Sequence, residues 1–323
     1  MGGCRRFLWD LFDAPRGHKL EVTSVALSAQ HVLSGSKDAT AKLWAKLSGE
    51  LLHTFTLPAE VTSVALDARA ALVGCGDCSV TLWSVETYQE LHRFFCDDAV
   101  VAVAMDASRV LASSRDKVVT LWSRAEETCG ALLKQFDPQV PGESHTYNHT
   151  DVVNSVALMG HLALLGSEDG GTKLYDLDSY IVHNVEDWVS KEQLVAEGTS
   201  RIAACAVKGV AMDSQHVVTV DSQQRLNVWG FEHFGEGELA GFTGKYLGRR
   251  SGITSVALDG RNVLTGHADM TASLLDRTQA EGPQDWKLVR TLQGSHQDEV
   301  RSVAMHSGFV LTGSCDHTAK LWD

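Results

Sequence analysis

The stretch from Glu21 to Trp44, EVTSVALSAQHVLSGSKDATAKLW, recurs along the chain and limits its fold more than any other feature. Aligned on the Val-Ala-Leu core, six further copies begin at Glu60, Ala99, Val152, Ala206, Gly252 and Glu299. The copies close on an aromatic at Trp44, Trp83, Trp122, Tyr175, Trp229 and Trp322, with Leu275 in the sixth. These closing residues stand 39, 39, 53, 54, 46 and 47 residues apart. The core keeps its length and only the connections vary. A period of roughly 40–45 residues ending in Trp marks a propeller or solenoid array.

Within one unit the pattern is that of short strands. Val22–Leu27 is an apolar, β-branched run suited to a strand buried on both faces. His31–Gly35 is a second run, Ser36-Lys37-Asp38-Ala39 carries turn chemistry, Thr40–Trp44 is a third strand and Leu51–Phe55 a fourth. Four short antiparallel strands cannot cover both of their own faces. Seven such sheets stacked radially bury every face except the rims.

LSGSKDATAKLW, and TGSCDHTAKLWD at Thr312–Asp323, resemble the WD40 family. Gly17-His18 stands four residues before Val22 as the family's Gly-His pair does, and Ser295-His296 stands likewise before Val300. The resemblance spans nearly the whole chain in seven register-matched copies. It implies an all-β, seven-bladed propeller over residues 1–323, closed by pairing of its N- and C-terminal strands. The seventh unit ends at Trp322-Asp323, one strand short, and residues 5–12, with Phe7–Leu11 at their centre, are expected to supply that strand.

Composition narrows the setting. The 323 residues carry a net charge of −13 and are 44% hydrophobic. Seven units use essentially all of that length. No apolar run approaches the ~20 residues of a membrane span. No secretory leader opens the chain, and seven cysteines, an odd number, read as reduced thiols of a cytoplasmic or nuclear protein. The acidic balance argues against a nucleic-acid backbone as partner. Met1-Gly2-Gly3-Cys4 invites an acylation reading, but Arg6 stands where that pattern wants Ser or Thr, and a strand is the better reading. Two insertions are expected on the top face: 137–150, and 184–201, whose VEDWVSKEQLVAEG carries a short helical pattern.

The residues that look most like chemistry are His18, Ser34, Asp38 and Trp44, repeated as His296, Thr312, Asp316 and Trp322. A Ser-His-Asp set suggests a hydrolase, but no nucleophile elbow accompanies it. The resemblance implies instead a buried hydrogen-bond chain from indole to hydroxyl, imidazole and carboxylate, each group with a partner. Other units keep parts of it: His149 and Asp169 in the fourth, Thr265 and Asp269 in the sixth, Asp77 with Trp83, and Asp116 with Trp122. The fifth has Gln223 where Asp is expected. Cys75-Gly76-Asp77-Cys78 lacks the two further ligands that zinc would need. No catalytic, metal or cofactor site is expected, and the Asn148 glycosylation pattern means nothing without secretion.

A surface remains. The resemblance implies partner contacts on the top face at three positions per unit: the residue before the turn Asp, the one after the first-strand Val, and the one two earlier. These place Lys37, Arg301, Arg115 and Lys208 on that face, with Arg16, Lys19, Arg249 and Arg250 in adjoining loops. Units six, seven and one thus carry a basic arc on an acidic chain, interrupted by Glu21, Asp298 and Glu299. The expectation is a non-enzymatic scaffold, a monomer within a larger complex, that binds a protein or peptide segment of acidic or phosphorylated character. The units most resemble the propellers of F-box/WD40 ligase receptors, although no F-box and no Trp-Asp-x-Arg motif is present. Alternatives are a propeller hydrolase and a heterotrimer-like signalling subunit without its coiled coil.

Overall fold

The computed structural model describes residues 7–10, 17–137, 149–178, 182–184, 205–214, 216–230, 252–260, 262–276, 287–294 and 296–323. It is a seven-bladed β-propeller. Blade 1 runs outward from the centre as Val22–Leu27, His31–Ser36, Thr40–Ala45 and Leu51–Thr56, the four strands read from the sequence to within a residue at their ends. The inner strands of blades 2 to 7 are Val61–Leu66, Val100–Met105, Val153–Met159, Val207–Met212, Ile253–Asp259 and Val300–His306. Each inner strand lies beside those of the blades before and after it, and Val300–His306 lies beside Val22–Leu27, so the ring is closed. Blade 5 has three strands among the described residues.

The expected closure is present. Phe7–Asp10 pairs antiparallel with Ala319–Trp322, in register Phe7 with Trp322 and Asp10 with Lys320, and is the outer strand of blade 7. The helical pattern in 184–201, most of the loop 137–150 and the Gly-rich run after Gly230 lie outside the described residues.

Among the described residues the apolar core is divided among the seams. The apolar side chains gather between consecutive blades. Leu33, Leu43 and Phe55 of blade 1 pack on Val61, Val64 and Val73 of blade 2, and the other seams repeat the arrangement. Each buried Leu or Val contributes about 1.5–3 kcal/mol by leaving water. The outer-strand Phe of one blade meets the closing aromatic of the next: Phe55 on Trp83 at 5.0 Å, Phe94 on Trp122 at 5.2 Å, Phe136 on Tyr175 at 4.6 Å. The closing aromatic is therefore a peg for the preceding blade.

Polar devices at the same seams were not legible in the sequence. The hydroxyl of Ser24 accepts the Val64 amide of the next blade at 3.0 Å. Ser63 accepts that of Val103, Ser155 of Val210, Ser255 of Val303 and Ser302 of Val25, all at 3.0–3.2 Å. A glycine of the second strand faces each of these five seams, at Gly35, Gly74, Gly166, Gly266 and Gly313. A Cβ at Gly35 would lie 2.4 Å from Val61. Only the missing side chain lets the blades approach so closely.

Candidate functional site: the ring of turns on one face

In every blade the turn between the second and third strands is tied back to the start of the inner strand. The amides of Lys37, Gly76, Arg115, Glu168, Ser222, Ala268 and Cys315 donate to the carbonyls of Glu21, Glu60, Ala99, Val152, Ala206, Gly252 and Glu299 at 2.8–3.1 Å. Beside each lies a β-bulge, where the inner-strand register slips by one residue at Thr23, Thr62, Val101, Asn154, Lys208, Thr254 and Arg301. Bulges re-aim side chains. The bulge residue, the turn residue and the residue two before the bulge are the three positions per blade that the family resemblance pointed to. The backbone at these positions repeats, while the side chains differ from blade to blade.

The electrostatics of this ring differ from a free basic arc. Lys37 is ion-paired with Glu21 at 2.6 Å, and Lys208 lies 3.8 Å from Glu168 of the preceding blade. The Arg301 Nε donates to Cys315 Sγ at 3.3 Å and stands 4.0 Å from Glu299. The hydrogen bond from Lys37 is the largest of the influences that hold the Glu21 carboxyl below its usual range. Lys19 and Arg115 are exposed. Arg16, Arg249 and Arg250 lie outside the described residues. Of the eight expected cations, the structure thus places five, and three of those sit against carboxylates.

The four-residue sets have the expected geometry. The Trp44 indole N–H donates to Ser34 Oγ at 3.0 Å, Ser34 reaches His18 Nε2 at 2.8 Å, and His18 Nδ1 meets the Asp38 carboxylate at 3.2 Å. In blade 7 the distances are 3.4 Å from Trp322 to Thr312, 2.7 Å to His296 and 2.9 Å to Asp316. Burial alone would raise the Asp38 and Asp316 carboxyls. Hydrogen bonds from the imidazole, from Thr40 or Thr318 and from a backbone amide outweigh it and hold both well below the usual carboxylate range. Ser34 is 0% and Thr312 1% exposed, so neither hydroxyl can meet a substrate. Cys75 is likewise inert: burial pushes its thiol up to about 12, opposite to the shift a redox thiol needs. Among the described residues no cluster of three His, Cys, Asp or Glu could hold a metal ion.

The incomplete sets show what the missing members did. In blade 4, where Leu165 replaces the hydroxyl, His149 Nδ1 still meets Asp169 at 3.1 Å but its buried Nε2 has no hydrogen-bond partner. In blade 2 the buried Trp83 indole N–H is unpaired, since Val73 stands in place of the serine. Two substitutes escaped sequence reasoning. In blade 6 the imidazole comes from the second strand, His267 Nε2 lying 3.0 Å from Thr265 Oγ1. In blade 5, Asp221 rather than position 223 supplies the turn carboxylate, accepting from the Gln223 and Arg225 amides and from Arg225 Nε at 2.6 Å. Both residues end the second strand, two positions before the expected Asp. Thr40 and Thr318, each hydrogen-bonded to the carboxylate and imidazole of its set, were also missed, although Asp-x-Thr in both copies was the available signal.

Comparison with known proteins agrees with this geometry. Residues 11–45 and 286–323 match the WD40 model, described as WD domain, G-beta repeat. Those two segments are WD40 repeats. The two matched segments are the first and last units, where the complete sets stand. A 42-residue stretch is 45% identical to the pre-mRNA-splicing factor PRP46 of Candida albicans, covering 12% of this chain and 11% of that protein. The computationally designed Ika8 protein superposes with a TM-score of 0.66 over 95% of this chain and 97% of its own, at 22% identity. That likeness is one of fold.

Proposed function

We propose that this WD40 propeller is a non-enzymatic scaffold that binds a protein or peptide segment on the ring of turns. The observation that carries the reading is the constancy of the seven backbone ties beneath a variable set of side chains. A rigid ring presents Lys37, Arg115, Glu168 and Arg301 without ordering cost, so binding them loses little entropy. The sealed hydroxyls of the Ser-His-Asp sets weigh against the hydrolase alternative.

The ligand that fits is an acidic or phosphorylated segment. Rim ion pairs such as Lys37–Glu21 are worth about 0–1 kcal/mol, so a dianionic phosphate or a run of carboxylates can exchange for Glu21, Glu168 and Glu299 at low cost. The partial match to a splicing factor favours the nucleus over the cytoplasm and membership of a larger assembly. No helix among the described residues is long and apolar enough to cross a membrane. The test is the double variant Lys37→Glu with Arg301→Glu, used beside wild type as bait and then in affinity measurements on the partner recovered. The expected result is an unchanged melt with weaker, less salt-sensitive binding. A double variant that binds as tightly as wild type moves the site away from the ring.

A further inference from the structure

The position four residues before each inner strand is occupied by His18, Leu57, Cys96, His149 and His296 in blades 1, 2, 3, 4 and 7. In blades 1, 4 and 7 the imidazole stands against the turn carboxylate, and in blade 2 the position holds Leu57, a buried side chain. Blade 3 retains the carboxylate and the indole of the set, Asp116 and Trp122, but offers only Cys96 in place of the ring. The result is a cleft of about 160 Å³ lined by Cys96, Ser114, Asp116, Val118 and Trp122. It is the slot of a missing imidazole.

The chemistry of the slot is one-sided. Asp116 accepts from the Ser114 hydroxyl at 2.5 Å and from the Val118 amide at 3.0 Å. Asp38, its counterpart, accepts in addition from an imidazole and from the Lys19 amide. No described cation stands within ion-pair distance of Asp116, and Asp97 adds a second carboxylate to a lining that contains no Lys or Arg. Burial pushes the Cys96 thiol up to about 12, so it stays protonated and neutral. At the lip, Phe95 of blade 2 is 68% exposed and Leu132 of blade 3 is 59% exposed. Large apolar side chains left in water beside a cleft are the usual rim of a docking site.

We propose that this slot receives a planar cationic side chain, histidine or arginine, from an extended segment of a partner protein. Apolar neighbours of that residue would cover Phe95 and Leu132. The inserted N–H groups would donate to Asp116 as His18 does to Asp38, with the second carboxylate favouring positive charge. The site adjoins the ring of turns at blade 3, whose Asp116 lines it, but it takes a ligand of opposite charge and does not depend on the function proposed there.

Fluorescence anisotropy of the full chain with a labelled Gly-Ser-Leu-Arg-Leu-Ser-Gly peptide, and with His or Gln in place of the Arg, provides the test. The Arg and His peptides are expected to bind at least tenfold more tightly than the Gln peptide. Cys96→His should fill the slot as His149 fills that of blade 4. Cys96→Leu should fill it with the side chain that blade 2 carries at this position, without adding a donor. Each should weaken the Arg peptide at least tenfold while the melting temperature stays at or above wild type. If one variant fails to fold, the other carries the test. Equal binding of the Gln peptide, no measurable binding of either basic peptide, or undiminished binding to a folded Cys96 variant would overturn the proposal. Loss of binding in Lys37→Glu with Arg301→Glu would also overturn it, by placing the peptide on the ring of turns.

Discussion

The seam between blades 7 and 1 and the seams on either side of blades 4 and 5 are built differently. At the first, Ser302 accepts the Val25 amide, and Gly313 lets Val22 and Val25 approach to where a Cβ would be 2.6 Å from Val25. The Lys46 ammonium lies 4.3 Å over the Phe309 ring, and complete four-residue sets stand in both flanking blades. At the seam from blade 3 to 4, the serine and glycine positions hold Ala102 and Ser113. At the seam from blade 5 to 6 they hold Gly209 and Val220. Both of those seams join blades that follow one another in the chain. Covalent succession keeps such neighbours at high effective concentration. Blades 7 and 1 meet only by folding, across the full length of the chain, and their contact must repay a larger loop-closure entropy. The serine and glycine devices recur at four seams between consecutive blades, but the two complete four-residue sets flank the one seam where the covalent chain gives no help.

Removing the closing strand should break this contrast most severely. Deletion of residues 1–12 uncovers the edge of Ala319–Trp322, a strand whose four residues, three of them apolar, are all buried. The expected outcome is a sharply lower melting temperature and oligomers on size-exclusion chromatography. A truncated chain that remains monomeric with an unchanged melt would show that the strand is dispensable.

The next largest effect is expected at the sets. Asp38→Ala and Asp316→Ala should each cost about 1–3 kcal/mol in denaturant unfolding, because buried imidazole, hydroxyl and amide donors lose their acceptor. Gln223→Ala, on an exposed turn of blade 5, should cost clearly less. The sign with pH follows from the depressed carboxyls. Their stabilisation is fully present above the unfolded value of about 4 and is lost as pH falls towards the folded values. Acid melts of wild type should therefore steepen below about pH 4, and those of Asp316→Ala should show less of that dependence. Equal losses at the three positions would contradict the assignment.

Smaller still is the effect of the seam serines. Ser302→Ala should cost about 1 kcal/mol by stripping the Val25 amide of its acceptor. The reverse experiment sharpens the comparison. Ala102→Ser transplants the missing serine into blade 3, facing Val156, and should gain about 0.5 kcal/mol. A loss there of the size seen for Ser302→Ala would mean that the weaker seams are not simply lacking a hydrogen bond.

Much of the candidate site was readable before the fold. Lys37, Arg115, Lys208 and Arg301 occupy turn and bulge positions of a ring that the repeat register already implied. Their ion pairing was not readable. Glu168 precedes Lys208 by forty positions and belongs to another blade, yet the two pair across the seam. The turn carboxylate of blade 5 was sought at 223 and stands at 221, and the imidazole of blade 6 stands at 267. Both side chains stand at the end of the second strand, two residues before the position of the expected Asp. A repeat template records positions, whereas burial asks only that a donor find an acceptor.

The repeat and the family resemblance it carries determined the number of blades, the strands of the first blade to within a residue, a closing strand within residues 5–12 and the two complete hydrogen-bond sets. All of these rest on separations of about twenty residues or on a period the chain states seven times. Only the tertiary structure decided which serine meets which amide, where a glycine is compulsory, which surface cations are already paired and that Cys96 leaves a ring-sized slot. Those facts depend on the neighbouring blade. The bond from Val25 to Ser302 spans 277 positions and exists only once the ring has closed.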